Sequence, residues 1–142
     1  MIYTNLTKKA LKLCFEAHKE QTDKSGMPYV FHPFHLAEQM TDEETTVVAL
    51  LHDIVEDTEL TFEDLEKQGF GEEIISALKL LTHNDDTPYF DYVAEIKTNK
   101  IATAVKLADL KHNSDLSRLD TVDEKALKRK EKYEKAIKIL TE

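Results

Sequence analysis

The run Leu50-Leu51-His52-Asp53-Ile54-Val55-Glu56-Asp57-Thr58 places one imidazole and three carboxylates in an otherwise apolar stretch. On a helix, residues three and four apart share a face, which sets His52 above Glu56 and Asp53 above both Glu56 and Asp57. Ala49, Leu50, Ile54 and Val55 supply apolar surface around them, so the helix is expected to be mostly buried. Buried carboxylates are costly unless a cation offsets them. A divalent metal is the simplest such cation, and the rest of the chain offers candidates for its remaining ligands.

Two further polar residues stand on apolar elements. His32 precedes Pro33, and proline is favoured in the first turn of a helix, so His32 is placed at the N-terminal edge of a helix running through Leu36, Ala37 and Met40. His35, one turn later, competes with it as a ligand. Asp109 falls in a helix expected over 101–116, where Lys106, Asp109, His112 and Asn113 form one polar stripe. His32, His52, Asp53 and Asp109 together offer two imidazoles, two carboxylates and no sulfur. Such a set suits Mn, Fe, Co, Ni or Mg better than a structural zinc.

Four protein ligands leave a six-coordinate metal with room for water and substrate, the requirement of metal-assisted hydrolysis. Glu56 and Asp57 are then placed to hold a water or take its proton. Asn113 offers a donor and an acceptor to a substrate hydroxyl or phosphate. Plainer readings exist for each residue alone. A His-Asp pair can cap a helix, Glu56-Asp57 can be a solvated helix end, and Asp109 can pair with Lys106. Their joint occurrence on apolar helices favours the metal. His35, His83 and His112 are assigned beside the site or to the surface.

The elements that must carry these residues are helical. Leu6, Ala10, Leu13, Cys14 and Ala17 mark an amphipathic helix over residues 5–20, with His18 near its end read as an ordinary, partly exposed histidine. Ser25-Gly26-Met27-Pro28 is turn chemistry. Thr41 with Glu44 matches a capping box and is expected to start the helix that carries His52. Thr61 caps a short helix, and Ile74, Ile75, Leu78 and Leu81 mark another. Tyr89, Tyr92, Val93 and Ile96 give one more after a polar loop over 82–88, and the tyrosines read as structural. A charged helix over 123–140 covers the rest. No strand alternation extends beyond a few residues, and no repeat or linker divides the chain.

The bulk properties fit one soluble helical domain over residues 1–142. Hydrophobic residues make up 41%, enough for a core, and 3 Gly with 3 Pro are few for a protein of many turns and strands. A net charge of −9 argues against a nucleic-acid binder, which would carry a basic face. The one cysteine, Cys14, can form no internal disulfide; a reducing cytoplasm fits, with Cys14 as a small core residue. No apolar run has the length of a membrane span and no secretory leader is evident. Nothing in the sequence selects an oligomeric state.

The arrangement of His32, His52-Asp53 and Asp109 resembles the HD-domain metal-dependent phosphohydrolases. Three strings narrow the resemblance: Ser25-Gly26-Met27-Pro28-Tyr29-Val30-Phe31-His32-Pro33, then Leu51-His52-Asp53-Ile54-Val55-Glu56-Asp57-Thr58, then Val105-Lys106-Leu107-Ala108-Asp109 with His112-Asn113. In order, and over roughly residues 5–140, they are similar to the hydrolase domain of RelA/SpoT-type enzymes and to the small alarmone hydrolases. The resemblance implies an all-α, single-domain HD bundle with its metal site between helices, and no synthetase or regulatory domain. It implies Mn²⁺, with other divalent transition metals as alternatives, held by His32, His52, Asp53 and Asp109. Glu56 and Asp57 would position or activate water, and Lys24, Ser25 and Asn113 would contact a phosphorylated nucleotide. The implied reaction removes the 3′-pyrophosphate of (p)ppGpp, giving GDP or GTP and pyrophosphate. Lys24 stands where those hydrolases often carry arginine, and the segment from Leu81 to Val105 is shorter than theirs. The alternatives are an HD phosphohydrolase acting on another nucleotide or phosphomonoester, and a metal- and nucleotide-binding module without turnover.

Overall fold

The computed structural model describes residues 1–142, and every regular element in it is helical apart from one isolated bridge between Thr22 and Pro28. Nine α-helices follow one another: α1 (Asn5–His18), α2 (Phe31–Glu38), α3 (Glu43–Leu51), α4 (Ile54–Asp57), α5 (Phe62–Lys67), α6 (Glu72–Leu81), α7 (Tyr89–Ile96), α8 (Lys100–Asn113) and α9 (Glu124–Thr141). A single 3₁₀ turn, Leu116–Arg118, links the last two. No helix is long and apolar enough to cross a membrane.

The centre of the bundle is α3. Every residue from Thr45 to Leu51 is buried, because α1, α2, α6 and α8 pack around it. A helix apolar on all sides has to be enclosed in this way. Leu36, Leu50, Leu51, Ile54, Leu65, Leu78, Ile96 and Leu110 are the largest apolar side chains fully buried in the core. Each large apolar side chain buried there contributes about 1.5–3 kcal/mol. The final helix, α9, lies over α7 and α8.

The structure corrects the sequence expectation at three places. The helix expected to run unbroken through His52 and Asp57 is interrupted: α3 ends at Leu51, Asp53 has φ −103° and ψ 0°, and α4 starts at Ile54. The face shared by His52 and Glu56 therefore does not exist in the simple helical form. Thr41 does not cap α3; Asp42 does, its carboxylate accepting the Thr45 N–H at 2.8 Å. His18 is not partly exposed but 1% exposed, closed in where the 21–30 loop crosses the end of α1 and Tyr29 packs against its ring.

That loop sets the approach to α2. The Asp23 carboxylate accepts the N–H groups of Ser25 and Met27, and Gly26 turns at φ +79°, a conformation that residues with a Cβ rarely adopt. The turn delivers Tyr29 and then His32 to the inner side of the bundle.

Candidate metal centre

Two chain segments and one helix meet at the site. His32 comes from the first turn of α2, His52 and Asp53 from the break between α3 and α4, and Asp109 from the middle of α8. His32, His52 and Asp109 are all buried, and one donor atom from each lies within 4.8 Å of the others. His32 Nε2 is 2.8 Å from Asp109 Oδ1, and His52 Nε2 is 3.5 Å from the same oxygen. Asp53 adjoins the group, its Oδ2 3.0 Å from His52 Nε2. The four residues that the sequence marked for a metal are brought together, although they span 78 positions from His32 to Asp109.

The break before α4 is what makes Asp53 available. It is the N-cap of α4 but makes no capping hydrogen bond, so its carboxylate is free to face His52 and accept from the Tyr29 hydroxyl. Burial, with the charge of Asp53, pushes the Tyr29 hydroxyl far up, so it stays protonated and donates. The same break lets His52 Nδ1 reach the Ala49 carbonyl oxygen at 2.7 Å. A carbonyl only accepts, so Nδ1 carries the proton and, in the neutral ring, Nε2 carries a lone pair. That Nε2 is buried and has no hydrogen-bond partner, and the nearest groups are two carboxylates.

A buried lone pair facing carboxylate oxygens requires a cation between them. A proton is one answer: burial pushes the His52 imidazole down, but the negative carboxylates of Asp53 and Asp109 beside it outweigh that and hold it well above the usual range. A divalent cation answers the same demand with imidazole and carboxylate ligands in place. The donor set therefore fits a metal.

Asp109 is held from every side. Burial works against its charge, but the Lys106 ammonium, the bond from His32 and the nearby His52 imidazole keep the carboxyl well below the usual range. Lys106 Nζ sits 2.9 Å from Oδ2, and Asn113 Nδ2 donates to Oδ1 at 3.0 Å. Lys106, Asp109 and Asn113 on α8 are thus one connected group.

Glu56 and Asp57 lie on α4 at the exposed edge of this cluster. Glu56 Oε1 accepts the backbone N–H of His83, which ties α4 to the 82–88 loop. Partial burial, then the charge of Asp53, raises the Glu56 carboxyl against the opposing effect of the His83 N–H. Partial burial and Asp53 likewise raise Asp57, opposed by His18 and His52. Gln21 bridges the two regions: its Oε1 meets His18 Nδ1 at 2.9 Å and its Nε2 donates to the Asp57 carbonyl at 3.1 Å.

Beside His32 and Tyr29 opens a cleft of about 350 Å³. Lys24, Ser25 and Asn113 all line it. Lys24 is exposed, whereas Ser25 Oγ donates to the Arg118 carbonyl at 3.1 Å and the Asn113 amide donates to Asp109. Sequence reasoning passed over Tyr29, Arg118, Arg129 and Tyr133, which also line the cleft. A signal existed for two of them. Arg118 and Arg129 are the only arginines beside 17 lysines, and both face the same cleft. Guanidinium groups suit phosphate oxygens because they present paired, planar donors.

A family model described as an HD domain matches residues 10–113, and the chain belongs to that family. Its relatives narrow the comparison. The chain is 34% identical over 114 residues, 69% of its own length, to the Escherichia coli K12 protein named bifunctional (p)ppGpp synthase/hydrolase SpoT. It is 38% identical over 91 residues, 61% of its length, to the Aquifex aeolicus protein named guanosine-3′,5′-bis(diphosphate) 3′-pyrophosphohydrolase. These matches span only 16% and 13% of the two relatives. A solved structure, described as a metazoan ortholog of SpoT that hydrolyzes ppGpp and plays a role in starvation responses, aligns with TM-score 0.74 at 26% identity. That alignment covers 99% of this chain and 85% of the other.

Proposed function

We propose that the chain is a Mn²⁺-dependent hydrolase that removes the 3′-pyrophosphate of (p)ppGpp, acting as one HD-type domain over residues 1–142 in the cytoplasm. The observation that carries the metal-dependent part is the buried, unpartnered His52 Nε2, whose lone pair faces Asp53 and Asp109. The substrate follows from the activities for which the relatives are named and from a cleft that offers Lys24, Arg118 and Arg129 to an anion beside the site.

His32, His52, Asp53 and Asp109 would hold the ion. When bound, it lowers the pKa of a water and offsets charge on a phosphoryl oxygen. The rest falls to side chains. Glu56 or Asp57, whose carboxyls are raised by partial burial and the charge of Asp53, accepts the proton of the attacking water. The new bond joins the water oxygen to the phosphorus on the ribose 3′-oxygen; the bond from that phosphorus to the 3′-oxygen breaks, the 3′-oxygen takes up a proton from solvent, and the proton held by the carboxylate returns to solvent. Lys24 and Arg129 meet the polyphosphate charge, and the Tyr133 ring offers a flat surface to the base. Ser25 and Asn113 act from fixed positions, since the Ser25 hydroxyl and one N–H of the Asn113 amide are already engaged.

The test is pyrophosphate release from ppGpp by the Mn²⁺-loaded protein. Efficient cleavage of another nucleotide with no pyrophosphate from ppGpp would overturn the substrate and favour a second reading, an HD phosphohydrolase for a different phosphorylated nucleotide. Lys24 favours that reading, since an ammonium cannot make the planar, two-pronged contact of a guanidinium.

A further inference from the structure

If His32 binds a metal through one ring nitrogen, the other needs a partner of its own. His32 Nε2 points at Asp109 Oδ1, and His32 Nδ1 meets His112 Nδ1 at 2.7 Å. The two rings are parallel to within 5°, with centroids 5.0 Å apart. That separation is what two imidazoles reach when their Nδ1 atoms meet head-on in a common plane, not face to face. The lone pair of one ring is therefore aimed at the N–H of the other, the favoured hydrogen-bond geometry.

We infer that His112 is a positioning residue for the metal centre: its Nδ1 accepts a hydrogen bond from His32 Nδ1–H and so fixes the His32 ring with its Nε2 lone pair turned into the site. The inference rests on the proposed metal reading. A ring that binds a cation through Nε2 carries its one proton on Nδ1, and that proton needs an acceptor. His112 is the group in place. Its own proton then sits on Nε2.

The surroundings hold His112 in this position. Its backbone carbonyl accepts from Arg118 Nη1 at 2.9 Å, which pins the last turn of α8. His35, one turn after His32 on α2, lies against its other side at 4.2 Å between ring centroids. His52 has the equivalent support from the Ala49 carbonyl oxygen. Each imidazole of the site thus has an acceptor behind it, one from the backbone and one from a side chain. Only the side-chain acceptor can be removed by mutation.

The experiment is calorimetric titration of Mn²⁺ into the metal-free protein, with His112→Phe and His112→Gln beside the wild type. Phenylalanine keeps a flat ring without an acceptor; glutamine keeps an acceptor without the ring. The expected result is a loss of about 10–100-fold in Mn²⁺ affinity for the phenylalanine variant and retention within a few-fold for the glutamine variant. Equal affinity in wild type and the phenylalanine variant overturns the inference, and so does an equal loss in both variants. No Mn²⁺ uptake by the wild type overturns the metal reading itself, a separate result. Should the phenylalanine variant not fold, two-bond ¹H–¹⁵N spectra of the unmutated, Zn²⁺-loaded protein decide. Protons on His32 Nδ1 and His112 Nε2 support the assignment, and a proton on His112 Nδ1 overturns it.

Discussion

Lys106 and Asp109 form an ion pair inside the protein, Nζ 2.9 Å from Oδ2, with side chains 13% and 8% exposed. The two carboxylate oxygens of Asp109 have different partners, the ammonium at Oδ2 and both His32 and His52 at Oδ1. The ammonium stays charged because the pull of Asp109 outweighs the effect of burial. Breaking a buried pair strands the remaining charge, at a cost of about 3–5 kcal/mol. Lys106→Met is therefore expected to lower the stability of the metal-free protein by roughly that amount, read as a drop in urea midpoint. An unchanged midpoint would mean that Asp109 does not depend on Lys106.

Glu56 and Asp57 stand at the exposed edge, one turn past the residues assigned to the metal. Their removal should separate turnover from binding. Glu56→Gln and Asp57→Asn are expected to lower pyrophosphate release by about 10²–10⁴-fold, the usual range for a general base. Bound Mn²⁺, measured by elemental analysis, should stay close to the wild-type ratio. His52→Ala and Asp53→Ala should do the reverse and lose the metal. If the Glu56 and Asp57 variants keep full rate, neither residue handles the water.

The candidate site was legible because its residue types are out of place. Histidines and carboxylates on apolar helices stand out against the 3.6-residue pattern, and that pattern also located the helices. What could not be read depended on contacts across the chain. The break at His52-Asp53 carries no Gly or Pro; it is held by the His52 bond to Ala49 and by Tyr29, 24 positions away, donating to Asp53. The burial of His18 depends likewise on Tyr29 and on Gln21, which belong to the loop crossing α1. Arg118 and Arg129 lie outside the three strings that carry the resemblance, and they come to line one cleft through the packing of α9 on α8.

The start of α3 allows a local test of such an ambiguity. Thr41 and Asp42 are both good capping residues, and acidic residues follow each, so composition cannot choose between them. The structure gives the cap to Asp42, whose carboxylate accepts from the N–H and the hydroxyl of Thr45 at 2.8 and 2.7 Å. Asp42→Ala is expected to cost about 1 kcal/mol and Thr41→Ala close to nothing. Equal urea midpoints for the two variants would contradict this assignment.

Cys14 gives a pH dependence of definite sign. It is 1% exposed in the core, and burial, followed by the charge of Asp53, pushes its thiol from 9.0 up to about 12. The folded protein keeps the proton where the unfolded chain has lost it. Between those values the unfolded state binds fewer protons, so stability must fall as pH rises. Below pH 9 this contribution is fully present. The expected loss is about 1.4 kcal/mol per pH unit across the window, beyond any loss shared with Cys14→Ala. Urea unfolding of both proteins at neutral and alkaline pH reads the difference directly. The same burial predicts that a thiol reagent leaves the native protein unmodified near neutral pH and labels it only through opening of the core. Rapid labelling without denaturant, or parallel alkaline losses in the two proteins, would show that Cys14 is not held as a buried neutral thiol.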